Sequence, residues 1–211
     1  MPIIFCLLII FCFWLSHQMR KNDEQSAKQS KEFWDLEQKA NFTRKQNTDD
    51  LVRITLPDTL IFHPDSTNTE LATIEDKIKD TCSHEIINLT GISNTELKLK
   101  YGLANLDYLS ECDGYFTRLV CQLKEWSELL YKQDLINDCC KVLDFAISIN
   151  ADVTDIYLLR AKIYLADNDS DGVNHLIECA ARLNTIRKNS IMDKLSQLLS
   201  DNIIDSITPN D

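Results

Sequence analysis

The amino-acid sequence predicts an all-α protein in which an N-terminal transmembrane helix precedes a domain of antiparallel helix pairs. Three observations lead to this prediction. Residues 3–15 are apolar without interruption, and all four prolines lie outside residues 67–205. The C-terminal half also repeats a pattern of small and apolar residues at an offset of 34 positions. Long proline-free stretches favour helices, because proline interrupts the hydrogen bonds of a helix.

The predicted membrane anchor covers residues 1–19 and is built around the apolar run Ile3–Leu15. A spanning helix needs about 20 apolar residues, with about 17 as the lower limit, so this span is short. Arg20, Lys21 and further lysines follow it, and the positive-inside rule then places the C-terminal domain in the cytoplasm. A cleaved signal peptide is the alternative, but no basic side chain precedes the run and no small-residue cleavage site follows it. We therefore expect a single-pass protein of the cell membrane.

The composition restricts the classes of partner. The chain has 211 residues and a formal net charge of −11. An acidic surface repels nucleic-acid phosphates, so nucleic acid is excluded as the expected partner and basic protein partners are favoured. The eight cysteines are irregularly spaced and form no C-x-x-C motif, which predicts buried, reduced thiols rather than a zinc or redox site.

Residues 20–66 are predicted to form a polar juxtamembrane helix followed by an extended connector. Phe33 and Trp34 are an aromatic pair in this helix, and they either lie on the membrane surface or dock on the domain. The connector at 51–64 contains β-branched residues and two prolines, so a short strand is an alternative there.

The helical domain is predicted to cover residues 67–205. Apolar residues recur at helical spacing over 68–82, with Asn68 as the N-cap. Gly91 and Gly102 are predicted helix ends.

Further elements follow from capping residues and apolar spacing. Asn94 or Thr95 is the predicted N-cap of a short helix, and Asp113 is the predicted N-cap of a long helix over 114–132. The apolar spacing of 186–200 predicts a capping helix over the last helix pair.

The internal repeat covers residues from about 120 to 185 and equates Ala146 with Ala180. The other equivalent positions are also small or apolar: Leu123 and Tyr157, Ser127 and Ala161, Leu130 and Tyr164, Cys139 and Val173, Leu143 and Ile177, and Ile149 and Leu183. This pattern resembles the tetratricopeptide repeat, whose length it shares. The resemblance implies helix pairs that stack and form a groove for a peptide or helix of a partner.

Both copies depart from the family pattern. Ala151 and Thr185 stand where the family has proline, Arg160 stands where it has an apolar residue, and Trp126 lies one turn later than the family's aromatic residue. A plain antiparallel bundle is therefore the alternative. The register does not identify the groove residues, so the binding residues are unknown at this point.

The whole chain also resembles a group of uncharacterised short bacterial single-pass membrane proteins. The resemblance rests on the segments at 31–45 and 88–102. It brings no assigned activity, and no functional residue follows from it.

The segment 167–178 satisfies the EF-hand pattern D-x-D-x-D-G-x5-E. In that interpretation Gly172 forms the sharp turn, and calcium would be bound by Asp167, Asp169, Asp171, the carbonyl of Val173, and Glu178. The alternative is a capped turn between two helices, because the apolar spacing already fits a helix at 173. No cofactor is therefore expected, with calcium as the alternative.

The sequence contains no set of residues that indicates catalysis. His175 and Cys179 are four residues apart, but no third ligand accompanies them as a zinc site requires. The expected function is a membrane-anchored scaffold or assembly factor that binds a protein or peptide and is not an enzyme. The alternative is a membrane-tethered calcium-binding protein that uses the segment 167–178.

Overall fold

The computed structural model describes residues 2–63 and 68–207, leaving out the side chains of residues 2–6, 8 and 203–207. Within this part the regular structure is helical, which confirms the all-α prediction. Eight α-helices are described, together with a short 3-10 turn at Leu103–Asn105: α1 (Pro2–Asn41), α2 (Thr69–Cys82), α3 (Asn94–Tyr101), α4 (Leu106–Lys132), α5 (Ile136–Ser148), α6 (Thr154–Ala166), α7 (Ser170–Ala181) and α8 (Lys188–Ile207).

The chain forms two compact units. The first unit is Met1–Thr48 with Ser93–Leu106, and the second is Asp49–Ile92 with Asp107–Asp211. The helix α3 therefore lies in the same unit as α1, and polar contacts join these two helices.

The first unit is held together where the end of α1 meets α3. The ammonium group of Lys98 donates to Glu37 and to Asn41, and it is almost completely buried. Ala40 is fully buried beside these contacts. Gly102 ends α3 with φ +86°, and a Cβ there would lie 2.5 Å from the carbonyl oxygen of Arg44, so glycine is required. This confirms the helix end predicted at Gly102.

The N-terminus of α3 differs by one residue from the prediction. Ser93, rather than Asn94 or Thr95, is the N-cap, and Ser93 and Glu96 form a reciprocal capping box. The sequence contains this S-x-x-E signature at 93–96, and Asn94 and Thr95, which had been predicted as caps, are its two middle residues.

No helix within the described residues combines the length and apolarity needed to cross a membrane. The predicted anchor at 1–19 falls partly on residues outside the described side chains, so the anchor stays a prediction.

The second unit contains α2, almost all of α4, and the helices α5 to α8. Trp126 and Tyr157 are its largest fully buried side chains. One apolar cluster joins α2, α4, α5 and α6, and a second joins α6, α7 and α8. Ile191 and Leu195 are buried in the second cluster, as expected for a helix that covers the last pair.

Two predictions about this unit are corrected. The helix α4 begins at Leu106 rather than at 114, so Asp113 lies inside the helix, where its side chain accepts from the amide of Leu89. The connector contains no strand among the described residues. It makes a single antiparallel bridge between Arg53 and Ile87.

Three helices of the second unit end in the same way. A left-handed residue follows α4, α5 and α6, with φ values of +60°, +59° and +58° at Asp134, Asn150 and Asn168. In each case the next amide donates to a carbonyl five residues back, as in the bond from Asp169 to Tyr164 at 2.8 Å. This is the Schellman motif, and it makes the turns between the helices short.

Candidate interaction surface

The aligned positions of the repeat fall on α4 and α5 in the first copy and on α6 and α7 in the second. The aligned small residues Ser127, Ala146, Ala161 and Ala180 are all buried. The thiol of Cys139 on α5 donates to the carbonyl of Ser127 on α4 at 3.3 Å, so small side chains lie where the paired helices approach.

The helices α6 and α7 are in close contact at Gly172. A Cβ atom at Gly172 would lie 2.4 Å from the ring of Tyr164. Gly172 lies within α7 and is needed because the aromatic ring of α6 rests against the backbone of α7.

The first helices of the two pairs share one exposed face. The ammonium group of Lys124 on α4 lies 3.1 Å from Glu128 and 3.4 Å from Asp155 on α6. Side chains three, four or seven residues away lie on the same side of each helix. The first-helix face therefore consists of Cys121, Lys124, Glu128 and Tyr131 of α4 with Asp155 and Lys162 of α6. The sequence alone did not identify these residues, because the register of the repeat was open.

A cleft of about 420 Å³ lies on the side of the second helices, α5 and α7. Its lining includes Asp144 and Tyr164, and Arg160 links these two side chains. The guanidinium of Arg160 lies 3.9 Å from the ring centre of Tyr164 and contacts both carboxylate oxygens of Asp144, at 2.7 and 3.2 Å. The charged residue at 160, where the tetratricopeptide pattern has an apolar one, is thus accommodated by an ion pair between α5 and α6.

The acidic segment 167–178 has the geometry of a capped turn. Asp167 follows the last residue of α6, and the carboxylate of Asp169 accepts from the amide of Gly172 at 2.9 Å as the N-cap of α7. The remaining predicted ligands, Asp171, Val173 and Glu178, lie within α7. In an EF-hand loop the fifth and seventh positions, here Asp171 and Val173, are not helical.

Metal coordination has no geometric support in the part of the chain that the structure describes. No three or more His, Cys, Asp or Glu side chains there converge as metal ligands do. His175 and Cys179 approach to 3.6 Å between Nε2 and Sγ, as their spacing on one helix predicts. A pair of ligands on one turn leaves the usual tetrahedral zinc site incomplete.

A polar cluster that the sequence did not indicate lies around His63. The backbone amide of His63 donates to Glu75 at 2.7 Å, and the ring atom Nδ1 lies 3.0 Å from the other oxygen of the same carboxylate. The ring atom Nε2 lies 3.3 Å from Asp138. Trp126 donates its indole N–H to Glu75 at 3.2 Å. Because a carboxylate faces each ring nitrogen, neither nitrogen is free to act on a substrate as a general base.

A second polar group lies at the start of α4. The hydroxyl of Tyr108 donates to Glu85 at 2.5 Å, and Arg53 contacts the other oxygen of that carboxylate at 3.0 Å. The hydrogen bond to Glu85 raises the pKa of Tyr108 to about 12, and the same bond lowers the pKa of the Glu85 carboxyl. These contacts hold the connector against the loop that precedes α3 and have the character of a surface ion pair.

The cysteine thiols of the helical core are in apolar surroundings. Burial raises the pKa of Cys139 to about 12 and that of Cys82 to about 11. Both side chains are therefore neutral thiols at physiological pH, and neutral thiols are poor nucleophiles and poor metal ligands.

No protein-family model, characterised protein or solved structure matches this chain. The resemblances to tetratricopeptide repeats and to short bacterial membrane proteins therefore stay predictions from the sequence.

Proposed function

We propose that the protein is a membrane-anchored interaction module without catalytic activity of its own, and that a protein or peptide partner binds the first-helix face. The observation that carries the proposal is the contact of Lys124 with Asp155, which joins α4 and α6 in one exposed surface. This surface combines charges of both signs with the exposed aromatic side chain of Tyr131. Aromatic side chains with a charged surround are typical of protein interfaces.

The tetratricopeptide resemblance supports the same face. In stacked helix pairs, the first helices line the concave surface on which partners bind. The packing of small residues at 127, 146, 161 and 180 agrees with such a stack.

The membrane anchor is supported by the exposed surface of α1. Large apolar side chains near its N-terminus are exposed along successive positions, among them Ile9, Ile10, Phe11, Phe13, Trp14 and Leu15. Apolar surface left in water costs roughly 25 cal/mol per Å², and insertion into lipid removes that cost. Arg20 and Lys21 follow this surface and favour a position beside anionic head groups.

The distribution of charge fits a domain held at a membrane. The segments of the first unit contain nine Lys and Arg and six Asp and Glu, a net charge of +3. The segments of the second unit contain thirteen Lys and Arg and 27 Asp and Glu, a net charge of −14. The basic segment is attracted to an anionic membrane surface and the acidic unit is repelled by it, so the acidic unit is available to partners, preferably basic ones.

The length of α1 bears on the role of the aromatic pair in the neck. Phe33 is 18 residues beyond Leu15, and a helix rises 1.5 Å per residue, so the two positions are about 27 Å apart along α1. The head-group layer beyond the hydrocarbon core is only about 5 to 8 Å thick on each side. In a spanning α1, the exposed Phe33 and Trp34 therefore stand beyond the lipid and are positioned to contact protein.

Site-specific photo-crosslinking of the full chain in its native membrane tests the binding face. A photoreactive amino acid replaces Lys162 on the first-helix face or, as the matched control, Glu178 on α7; both side chains are exposed and both lie on helices of the same pair. We expect a discrete adduct from position 162 and none from position 178.

The same experiment has two outcomes against the proposal. An adduct from position 178 alone would assign binding to the second helices. No adduct from position 162 would leave the first-helix face without a partner and would contradict its proposed role.

A further inference from the structure

The end of the connector lies on the helices of the second unit. Leu60 is buried in the core, and the ring of Phe62 stacks on Trp126 with 5.1 Å between the ring centres. The ammonium group of Lys79 on α2 lies 4.9 Å from the ring centre of Phe62. Residues 60–63, here called the strap, thus contact α2 and α4, and His63 extends these contacts to α5.

His63 is the only strap residue whose contacts depend on a proton. A neutral imidazole has one N–H, whereas a protonated imidazole has two. Nδ1 faces Glu75 at 3.0 Å and Nε2 faces Asp138 at 3.3 Å, so both contacts are hydrogen bonds only when the ring is protonated. In the neutral ring, one nitrogen turns a lone pair towards a carboxylate oxygen, and that contact becomes repulsive.

The charged groups that face the ring come from two helices. Glu75 projects from α2, and its side chain is only 1% exposed. Asp138 projects from α5, and its other oxygen is paired with Lys141 at 2.9 Å. The helix α4 contributes the neutral indole of Trp126. The imidazolium is thus the cation that directly contacts the Glu75 carboxylate among the described residues, and a buried carboxylate without a charged partner is strongly disfavoured.

We propose that His63 is a proton-dependent clasp: the protonated ring fixes the strap to α2 and α5, and loss of its proton releases the strap. Release exposes Trp126, uncovers Glu75 and frees the connector that precedes the helical domain. The direction follows from the contacts, since the protonated ring stabilises the docked strap and this stabilisation is lost as the pH rises.

Hydrogen exchange of the full chain in detergent micelles tests the clasp. The peptide that covers the strap is compared at about pH 6 and about pH 8, after correction for the intrinsic exchange rate. We expect protection of the strap to fall by about tenfold at the higher pH in the wild type, while the amides of α6 stay equally protected.

Three variants separate the clasp from a general effect of pH. His63→Gln retains one donor and cannot take up a proton, so its strap should show the same protection at both pH values. Asp138→Asn offers an amide donor to the neutral ring, so its protection should persist at the higher pH. His84→Gln is the matched control, because His84 stacks on Tyr115 away from the strap, and it should behave as the wild type does.

The clasp is refuted if wild-type protection does not change with pH, or if His63→Gln shows the same fall as the wild type. Retained helix content in all three variants, measured by circular dichroism, ensures that the comparison is made between folded proteins.

Discussion

At the scale of single residues, the core of the second unit contains a hydroxyl whose burial has a measurable effect on the free energy of unfolding. Tyr157 is fully buried, and its hydroxyl has no hydrogen-bond partner among the described residues. Burial raises the pKa of this phenol, which is therefore a neutral but unsatisfied group at physiological pH. A buried polar group without a partner opposes folding, so the aromatic ring stabilises the core while its oxygen does not.

The variant Tyr157→Phe should therefore leave the free energy of unfolding unchanged or increase it by about 1 kcal/mol. Urea unfolding of the full chain in mild detergent measures this quantity. Tyr108→Phe is the matched control, because it removes the bond to Glu85 and should lower stability. A loss of more than about 1 kcal/mol in Tyr157→Phe would indicate a buried water bound to the hydroxyl and would contradict the prediction.

At the scale of elements, the turns between helices depend on backbone conformations that glycine usually supplies. Asp134, Asn150 and Asn168 take left-handed conformations at the ends of three successive helices. Asparagine and aspartate enter this region at less cost than other residues with a Cβ atom. The positions of Asp134 and Asn168 also differ by 34 residues, so the turn belongs to the repeat as well.

Asn168 allows a test of this role without loss of side-chain contacts. The variant Asn168→Ala should lower the free energy of unfolding by about 1 kcal/mol, because alanine is disfavoured at φ +58°. The variant Asn168→Gly should be as stable as the wild type or more so. Thermal unfolding followed by circular dichroism compares the two, with Asn174→Ala inside α7 as the control. Equal stability of the alanine and glycine variants would refute the role of this turn.

The same elements explain what the sequence could and could not predict. The cap at Asn68, the glycine end at Gly102 and the buried small residues such as Ala161 were predicted because each has a local signal. The start of α4 was misplaced because Asp113 has the chemistry of a cap, yet in the folded chain it caps nothing and binds the amide of Leu89 from a distant segment.

The candidate sites also differ in whether their residues are close together or far apart in the sequence. The acidic segment 167–178 matches a calcium motif residue by residue, and the alternative prediction, a helix already formed at Val173, agrees with the start of α7 at Ser170. The cluster of His63, Glu75 and Asp138 brings together positions up to 75 residues apart, so no spacing in the sequence indicates it.

At the scale of the whole molecule, the two ends of the chain differ in the solvent they require. The N-terminal part of α1 exposes apolar side chains, whereas the second unit is strongly acidic and encloses its apolar residues. An exposed apolar surface on an acidic protein favours aggregation or cover by a partner or by lipid. In the proposed membrane anchor lipid is the cover, and an anionic membrane would repel the acidic unit.

Membrane extraction of the full chain tests whether lipid covers the apolar side chains of α1. The wild type should remain in the membrane pellet after an alkaline carbonate wash. A double variant with Ile9→Asp and Phe13→Asp should be released, since each aspartate near the centre of a span costs about 3 kcal/mol on insertion. Trp34→Asp is the matched control: in a spanning α1 the length of the helix would place this position beyond the lipid, so this variant should stay in the pellet. Release of the wild type would show that α1 is not a spanning anchor, and release of Trp34→Asp would show that the neck lies on the lipid rather than away from it.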